Sequence, residues 1–271
     1  MSLSVRFAKY HGLGNDFVLI DGRADGRLID AHLAVRLCDR HRGVGADGVL
    51  SLLPSRHPDA IARMHLFNAD GSVAEMCGNG LRCVVQALVA RGAPAKMVID
   101  TDAGLRRGER LGDGQVRASL GQPAVIGARS IEVAGRRFEG LAISVGNPHF
   151  VLQPFGPEED LTSLALRYGP EIERHPAFPE RTNVELLKRH GDRIEVVVFE
   201  RGAGLTLACG TGAGAAAVAA RELGLVAASG PATIRLPGGE LCVDAWDGEV
   251  ALVGEALHVF DGEIDPSAMA G

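Results

Sequence analysis

Lysine is almost missing from this chain. Three lysines stand among 28 Lys and Arg residues: Lys9, Lys96 and Lys188. None falls inside a glycine-rich motif, so nothing supports a lysine Schiff base to pyridoxal phosphate. Positive charge is short overall, with a formal net charge of −6. Nucleic-acid binders usually carry a basic footprint, so no nucleic-acid partner is expected. No apolar run approaches the roughly 20 residues that cross a bilayer. The stretch from Met1 to Lys9 is too short and mixed for a secretory apolar region. No membrane partner is expected. Cysteine is sparse and odd in number: Cys38, Cys77, Cys83, Cys209 and Cys242. That is not the disulfide framework of a small secreted domain. A reducing, cytoplasmic setting is the expectation. Cys77-x5-Cys83 is not zinc-ligand spacing, and no His pair at i, i+4 lies near it, so no metal is expected.

What the chain does have is a repeated cysteine turn. Cys77-Gly78-Asn79-Gly80 and Cys209-Gly210-Thr211-Gly212 each lead into a helix-like run. The two cysteines are 132 residues apart (209 − 77), and Gly14-Asn15 returns as Gly146-Asn147 at the same offset (147 − 15). Two separate fragments with one offset imply an internal duplication, each half supplying one Asn and one Cys. At 271 residues and 46% hydrophobic composition, the chain can build two domains with real cores. The expected boundaries are 1–121, with the strands of 256–271 returning to it, and 122–255. The active site is expected in the cleft between them.

The pattern along the chain is α+β and strand-rich, with one central helix per half. Strands are expected at Val5–Tyr10, Phe17–Asp21, Val49–Leu53 and Ala60–Asn68, with a helix over Asp30–His41. Leu81, Val84, Val85 and Leu88 follow i, i+3, i+4, i+7, which predicts a helix over Leu81–Ala90 stopped by Gly92. The second half repeats the sense. Strands are expected at Ala142–Val145 and Phe150–Leu152, then a proline-rich stretch (Pro154, Pro157, Pro170, Pro176, Pro179), then strands at Asn183–Leu187 and Ile194–Glu200. Ala213–Leu223, closed by Gly224, is apolar all round and predicts a buried helix. Short strands around Cys242–Ala245, Val250–Val253 and Ala256–Phe260 end the chain.

Each cysteine stands at a helix start. Unpaired backbone N–H groups and the helix dipole favour negative charge there. The thiol pKa is therefore expected to fall, giving a usable base near neutral pH. The same N–H groups, at Gly78, Asn79, Gly210 and Thr211, form an anion site fit for a carboxylate. A lone cysteine is ordinarily a small core residue, and Cys38, Cys83 and Cys242 are read that way. For Cys77 and Cys209 the repeated glycine context outweighs it. Two opposed thiols can take a proton from one face of an α-carbon and return one to the other. That inversion needs no cofactor in principle.

With these motifs in view the chain resembles the diaminopimelate epimerase family. The matching stretches run from Lys9-Tyr10-His11-Gly12-Leu13-Gly14-Asn15-Asp16-Phe17 through Arg42–Gly48, Phe67–Ser72, Glu75–Gly80, Gly146–His149, Arg181–Glu185 and Glu200–Gly204 to Ala208–Ala213. The Cys-Gly turns alone would also fit the wider proline racemase superfamily. The resemblance implies two domains of pseudo-twofold symmetry, each a β-barrel-like sheet around a central helix. It implies cofactor-independent interconversion of LL- and meso-2,6-diaminopimelate on the bacterial lysine and peptidoglycan route, and a homodimer. Cys77 and Cys209 match the two acid/base thiols. Asn15, Asn68, Asn147 and Asn183 match substrate-binding positions, where neutral amides suit a zwitterionic ligand. Glu200 and Arg201 match the pair that meets the distal amino acid and the active site, His149 matches a residue near the thiols, and His149 and Glu200 are counted with the two thiols as catalytic. Read alone, Asn68 is a turn residue, Glu200-Arg201 a surface pair, and His149 a hydrogen-bonded loop histidine. Three positions depart from the family. Gly48 stands where some members have a substrate-contacting Gln, Leu205 replaces a common Glu, and Phe260 replaces a Tyr linked to the dimer contact.

A dinucleotide-binding oxidoreductase is the alternative from another class. Gly43–Gly48 fits G-x-G-x-x-G, but its helix precedes and its strand follows, the reverse of the fingerprint. Gly210–Ala215 leads into a helix, yet about nine residues separate it from the preceding strand, too many for a tight βα turn. A non-enzymatic amino-acid-binding protein would have no use for two thiols. Proline or hydroxyproline racemase chemistry would use them on a shorter substrate, which Glu200-Arg201 and the four Asn argue against.

Overall fold

The computed structural model describes residues 4–24, 28–153 and 155–269. Residues 1–3, Pro154 of the proline-rich stretch and the last two residues of the expected C-terminal return lie outside the described residues. The chain divides into two compact units, Met1–Ala118 with Gly254–Gly271, and Ser119–Val253.

The first unit opens on a hairpin of β1 (Val5–Gly12) and β2 (Asn15–Asp21), turned through Leu13 and Gly14, both at positive φ. Asp30 then caps α1 (Ala31–Cys38), its side chain accepting the Leu33 N–H at 2.7 Å. That satisfies one of the donors a helix start leaves without a partner. Ala34, Leu37 and Cys38 fall on one face and join Val18, Val49 and Phe67 in an apolar cluster. The helix stops short of His41 because the Asp39 carboxylate accepts the N–H groups of His41 and Arg42 in a turn. β3 (Gly48–Leu53), β4 (Ala62–Asn68) and the two-residue β5 (Val73–Ala74) lead to α2 (Gly78–Ala90). β6 (Lys96–Thr101), β7 (Gly104–Arg110) and β8 (Val116–Gly121) complete the run.

The second unit holds β9 (Ala124–Val133), β10 (Arg136–Ser144), β11 (Pro148–Leu152), α3 (Leu161–Glu173), β12 (Asn183–His190), β13 (Arg193–Glu200) and β14 (Gly204–Leu205). α4 (Gly210–Glu222), β15 (Ala232–Leu236), β16 (Gly239–Trp246) and β17 (Glu249–Gly254) follow. β18 (Leu257–Ile264) then returns to the first unit and pairs antiparallel with β1.

Strand pairing carries the duplication further than the cysteine turns did. The first unit reads, edge to edge, β18, β1, β2, β3, β4, β6, β7, β8. The second reads β9, β10, β11, β12, β13, β15, β16, β17. Both series pair antiparallel twice, then parallel, antiparallel, parallel, and antiparallel twice. The short β5 and β14 hang from β4 and β13 in the same way. Inside each sheet runs one helix buried on nearly every face. α2 touches β1, β2, β3, β4, β7 and β18, and α4 touches β10, β11, β12, β13, β15 and β16. The two-fold repeated α+β architecture expected from sequence is therefore the observed one.

Three differences have physical reasons. Both central helices begin three residues earlier than their apolar periodicity suggests, at Gly78 and Gly210, because Cys77 and Cys209 are themselves the N-caps. Each unit also holds a second helix beside its central one: α1 was expected, and α3 was not. α3 lies in the proline-rich stretch and contains Pro170. The ring removes the N–H that would bond the Leu166 carbonyl, but Leu166 and Pro170 are exposed and water can serve that carbonyl. Asp160 caps this helix, and Ala165, Tyr168 and Ile172 bury its inner face against Phe138 and Phe150. β9 carries no clear alternation and was not expected; it is an exposed strand held by its ladder to β10. Among the described residues no helix is long and apolar enough to cross a membrane.

The central helix sits so close to its sheet that β7 needs a glycine where they meet. A Cβ on Gly108 would lie 2.2 Å from Val85 Cγ2. Gly108→Ala should destabilise the chain by about 1–3 kcal/mol, and Val85→Ala in the same chain should restore part of it. Urea unfolding reads both. An unchanged midpoint for the single variant would show that α2 is not wedged against β7.

Candidate active site

Each sulfur of the repeated turns is an N-cap. Cys77 (φ −143°, ψ 114°) and Cys209 (φ −121°, ψ 110°) have extended backbones, and each Sγ accepts the N–H three residues on, from Gly80 and Gly212, both at 3.3 Å. Their own carbonyls accept the first intrahelical bonds, from Leu81 and Ala213. Sulfur thus takes the place of the oxygen of an ordinary capping residue. Glycine is needed beside it. A Cβ on Gly212 would stand 3.2 Å from Cys209 Sγ and 3.0 Å from Glu185 Oε1.

In the first unit Asn15 faces Cys77. Its Oδ1 accepts Asn79 Nδ2 at 3.1 Å and lies 4.0 Å from Cys77 Sγ. Its Nδ2 donates to Asp47 Oδ2 at 2.9 Å, so the amide is oriented from both ends. Behind it stands an ionic net: Lys9 and Arg40 on Asp16, and Arg40 on Asp47. Burial works to raise the Asp16 pKa. Hydrogen bonds from Arg40 and Lys9, with the Lys9 charge, outweigh it and hold that pKa near 2. Asn68 ends β4 opposite Gly48, and its Nδ2 donates to Ser72 Oγ at 2.9 Å. This is the turn arrangement its sequence context suggested.

In the second unit the same two positions are bonded with donor and acceptor exchanged: Asn147 Nδ2 donates to Thr211 Oγ1 at 3.3 Å, and Thr211 Oγ1 lies 3.5 Å from Cys209 Sγ. With the amide so placed, Asn147 Oδ1 faces His149 Nε2 at 2.8 Å, which must donate. His149 Nδ1 meets Glu185 Oε1 at 2.7 Å, both side chains fully buried. Glu185, His149, Asn147, Thr211 and Cys209 thus form one chain. His149 spends both ring nitrogens on its neighbours and reaches the thiol only through Asn147 and Thr211. The catalytic place expected for His149 is therefore not one of direct contact with the sulfur. Burial raises the Glu185 pKa, with the Glu200 charge acting the same way and His149 opposing.

Asn183 lies beside His149 in the parallel β11–β12 pair. Its Nδ2 donates to the Pro148 carbonyl at 2.9 Å, and its Oδ1 accepts the Arg201 N–H at 2.9 Å. The Arg201 guanidinium is exposed and donates to the Glu180 carbonyl at 3.2 Å. Glu200 Oε1 accepts Thr206 Oγ1 at 2.6 Å. Buried Glu173 ties this turn down by accepting the Gly202 N–H at 3.0 Å.

One expectation reverses. Cys209 does not have a lowered pKa. Burial pushes it well above the usual thiol value, and the charges of Glu200 and Glu185 add to this, while Thr211 and the Gly212 N–H oppose. One helix end cannot outweigh full desolvation with two carboxylates near by. Glu185 was not singled out from sequence. Its signal was a lone carboxylate in the apolar run Val184-Glu185-Leu186-Leu187. Among the described residues no group of three or more His, Cys, Asp or Glu is arranged to hold a metal ion.

Two pH-dependent outcomes follow. A carboxylate that titrates low when folded stabilises above its unfolded pKa, and that contribution is lost as pH falls through the folded one. Asp16→Asn should therefore lower stability at neutral pH and flatten the fall in urea midpoint between pH 3.8 and about 2. A slope equal to that of the unsubstituted chain would refute it. Removing a negative charge beside a thiol favours the thiolate, so Glu200→Gln should move the onset of Cys209 alkylation to lower pH. Peptide mass mapping after iodoacetamide reads it, and an onset unmoved or moved upward would contradict the assignment.

Comparison with known proteins identifies the family. The sequence profile of the diaminopimelate epimerase family matches residues 7–126 and 141–258. The diaminopimelate epimerase of Thermosynechococcus vestitus is 42% identical over 97% of this chain and 100% of its own length. That of Rhizorhabdus wittichii is 46% identical over 98% and 97%. Among solved structures, a probable proline racemase from Agrobacterium radiobacter superposes with a TM-score of 0.74 at 19% identity, covering 98% of this chain and 95% of its own. A hydroxyproline epimerase from Agrobacterium vitis gives 0.73 at 16%, covering 96% and 91%. At those identities the structural likeness speaks for the fold.

Proposed function

The chain belongs to the diaminopimelate epimerase family, and we propose that it interconverts LL- and meso-2,6-diaminopimelate with Cys77 and Cys209 as its two bases. Its activity is that of an isomerase, an epimerase of diaminopimelate. The observation that carries the two-thiol reading is the repeated N-cap: one sulfur per unit, each accepting the N–H three residues on at 3.3 Å.

The chemistry balances without a cofactor. One thiolate removes the α-proton and becomes a thiol. The electron pair left on the α-carbon delocalises into the adjoining carboxylate. The other thiol protonates the opposite face and becomes the thiolate. In each helix start the N–H groups of the first two residues, Gly78 and Asn79 or Gly210 and Thr211, have no intrahelical acceptor. They suit the carboxylate, whose charge grows as the proton leaves, and act as an oxyanion hole does. Asn15 and Asn147 stand next to the sulfurs and offer neutral donors and acceptors to the reacting amino acid. Asn68, Asn183, Glu200 and Arg201 are assigned to the substrate. A carboxylate and a guanidinium can meet the ammonium and carboxylate of its distal end, which a shorter amino acid lacks. Glu200 also sets the field at Cys209, and His149 orients that corner.

The chain is read as a homodimer, with β18 as the contact strand. Leu257, Val259 and Phe260 are all at least 45% exposed there, more than single scattered apolar residues would be. A cytoplasmic location is assigned because the mechanism needs both thiols reduced.

Proton NMR of the purified chain with LL-diaminopimelate in D2O and reductant tests the function directly. One α-position should acquire deuterium as meso product forms, with no added cofactor. Exchange with proline or hydroxyproline alone would overturn the substrate. Cys77→Ala and Cys209→Ala should each lower inversion by at least about 10²–10⁴-fold, the range for a general acid or base. Full activity in either variant would sink the two-base reading.

A further inference from the structure

The two units share a scaffold, yet they carry different charged side chains at matching positions. In the second unit Cys209 lies in the field of Glu185 and Glu200. The first unit carries neither. At the 132-residue offset Glu200 answers to Asn68 and His149 to Phe17, and in the matching strand registers Leu50 stands where Glu185 does. What it carries instead is Arg82, on α2, at the position that Gly214 holds on α4 (214 − 82 = 132).

Arg82 is 0% exposed. Its Nη2 donates to Asn79 Oδ1 at 2.8 Å, while Nε and Nη1 have no hydrogen-bond partner among the described residues. No carboxylate lies within ion-pair distance of it among those residues. Room has been made for it: a Cβ on Gly12 would come within 2.9 Å of its Nη2. On α4 that need is gone, and Leu120 Cδ1 stands 2.6 Å from where a Gly214 Cβ would be. Burying a guanidinium without an anion is costly, so stability alone would select an apolar side chain here. Some other requirement keeps the charge.

We propose that Arg82 is a positioning residue for Cys77: through Asn79 and Asn15 it holds the thiol's surroundings in place, and its buried charge offsets the thiolate formed when Cys77 gives up its proton. The connection is continuous. Arg82 binds Asn79 Oδ1, Asn79 Nδ2 binds Asn15 Oδ1, and that oxygen faces Cys77 Sγ. The two aspartates behind Asn15 are already engaged. Asp47 on the loop before β3 is paired with Arg40, and Asp16 on β2 with Lys9 and Arg40. Cys83, next to Arg82 on α2, is pushed by burial to a pKa of about 12 and stays a neutral thiol. Burial works against the Arg82 charge, and negative charge on Cys83 or Cys77 works for it. With Cys83 neutral, Cys77 is the sulfur whose anion Arg82 can serve. The Cys209 corner has no such cation at the matching position, where α4 carries Gly214.

The inference rests on reading Cys77 as a base, and its test does not require turnover. The rate of Cys77 carbamidomethylation by iodoacetamide is followed against pH in the full chain by peptide mass mapping, for Arg82→Met, Arg82→Gln and Arg82→Lys. Loss of an opposite charge near a titrating group moves its pKa by about one unit or more. Met and Gln should therefore slow alkylation near neutral pH roughly tenfold and lower kcat with little change in KM. Lys should retain the native profile, and the Cys209 profile should not move in any variant. Superimposable Cys77 profiles for folded Arg82→Gln and the unsubstituted chain would overturn the proposal. If Arg82→Met does not fold, identical profiles for Gln and Lys overturn it equally. Should Cys77→Ala keep full inversion, the base assignment fails, while the alkylation profiles still report what Arg82 does to the sulfur.

Discussion

The structure depends on the first turn of a helix buried inside a sheet. A helix start leaves backbone N–H groups without acceptors, and burial removes the water that would otherwise serve them. α2 and α4 meet that demand with a cysteine N-cap, whose sulfur takes one N–H and leaves others directed outward. The capping residue is in each case also the candidate base. The neighbouring glycine Gly212 follows from it, since a side chain there would press on the sulfur, while one at Gly80 would crowd Leu50. So does the stacked order of the strands, because the helix axis must carry the cap to the end of the sheet where the Asn residues of β2 and of the loop before β11 can reach it.

Duplication supplies the frame twice, and the differences between copies supply the chemistry. The bond from Asn79 to Asn15 has its counterpart between Asn147 and Thr211, so the orienting contact survives in both units. The charges do not. The second unit gains a buried His149–Glu185 pair and Glu200, which disfavour the Cys209 anion. The first gains a buried guanidinium. An amide stands between His149 and Thr211, and amides pass protons poorly, so the polar chain behind Cys209 fixes geometry and field and does not relay a proton.

Much of this was legible in the residues. The two Cys-Gly-x-Gly turns, the equal spacing of Asn15 and Asn147, and the periodicity of Leu81, Val84, Val85 and Leu88 announced the repeat, the central helices and the thiols. α3 was not legible, because Pro170 and its neighbours mask a helix whose capping by Asp160 and burial of Tyr168 outweigh one lost hydrogen bond. β9 was hidden by its exposure, which erases the alternation a half-buried strand shows. Glu185 and Arg82 each appear in sequence as a single charge inside an apolar run. Nothing local says which partner, if any, awaits such a charge, since partners come from strands and loops far along the chain.

The sequence by itself determined the duplication and the family and pointed to the two candidate thiols, because these are carried by residue identity at fixed spacing, which survives without knowledge of contacts. Tertiary structure alone decided the electrostatics. A helix N-terminus predicts a lowered thiol pKa in any chain, but the Cys209 value is raised by burial and by carboxylates on β12 and β13. Desolvation and charge act through space, and only the packed sheet brings those groups to the sulfur.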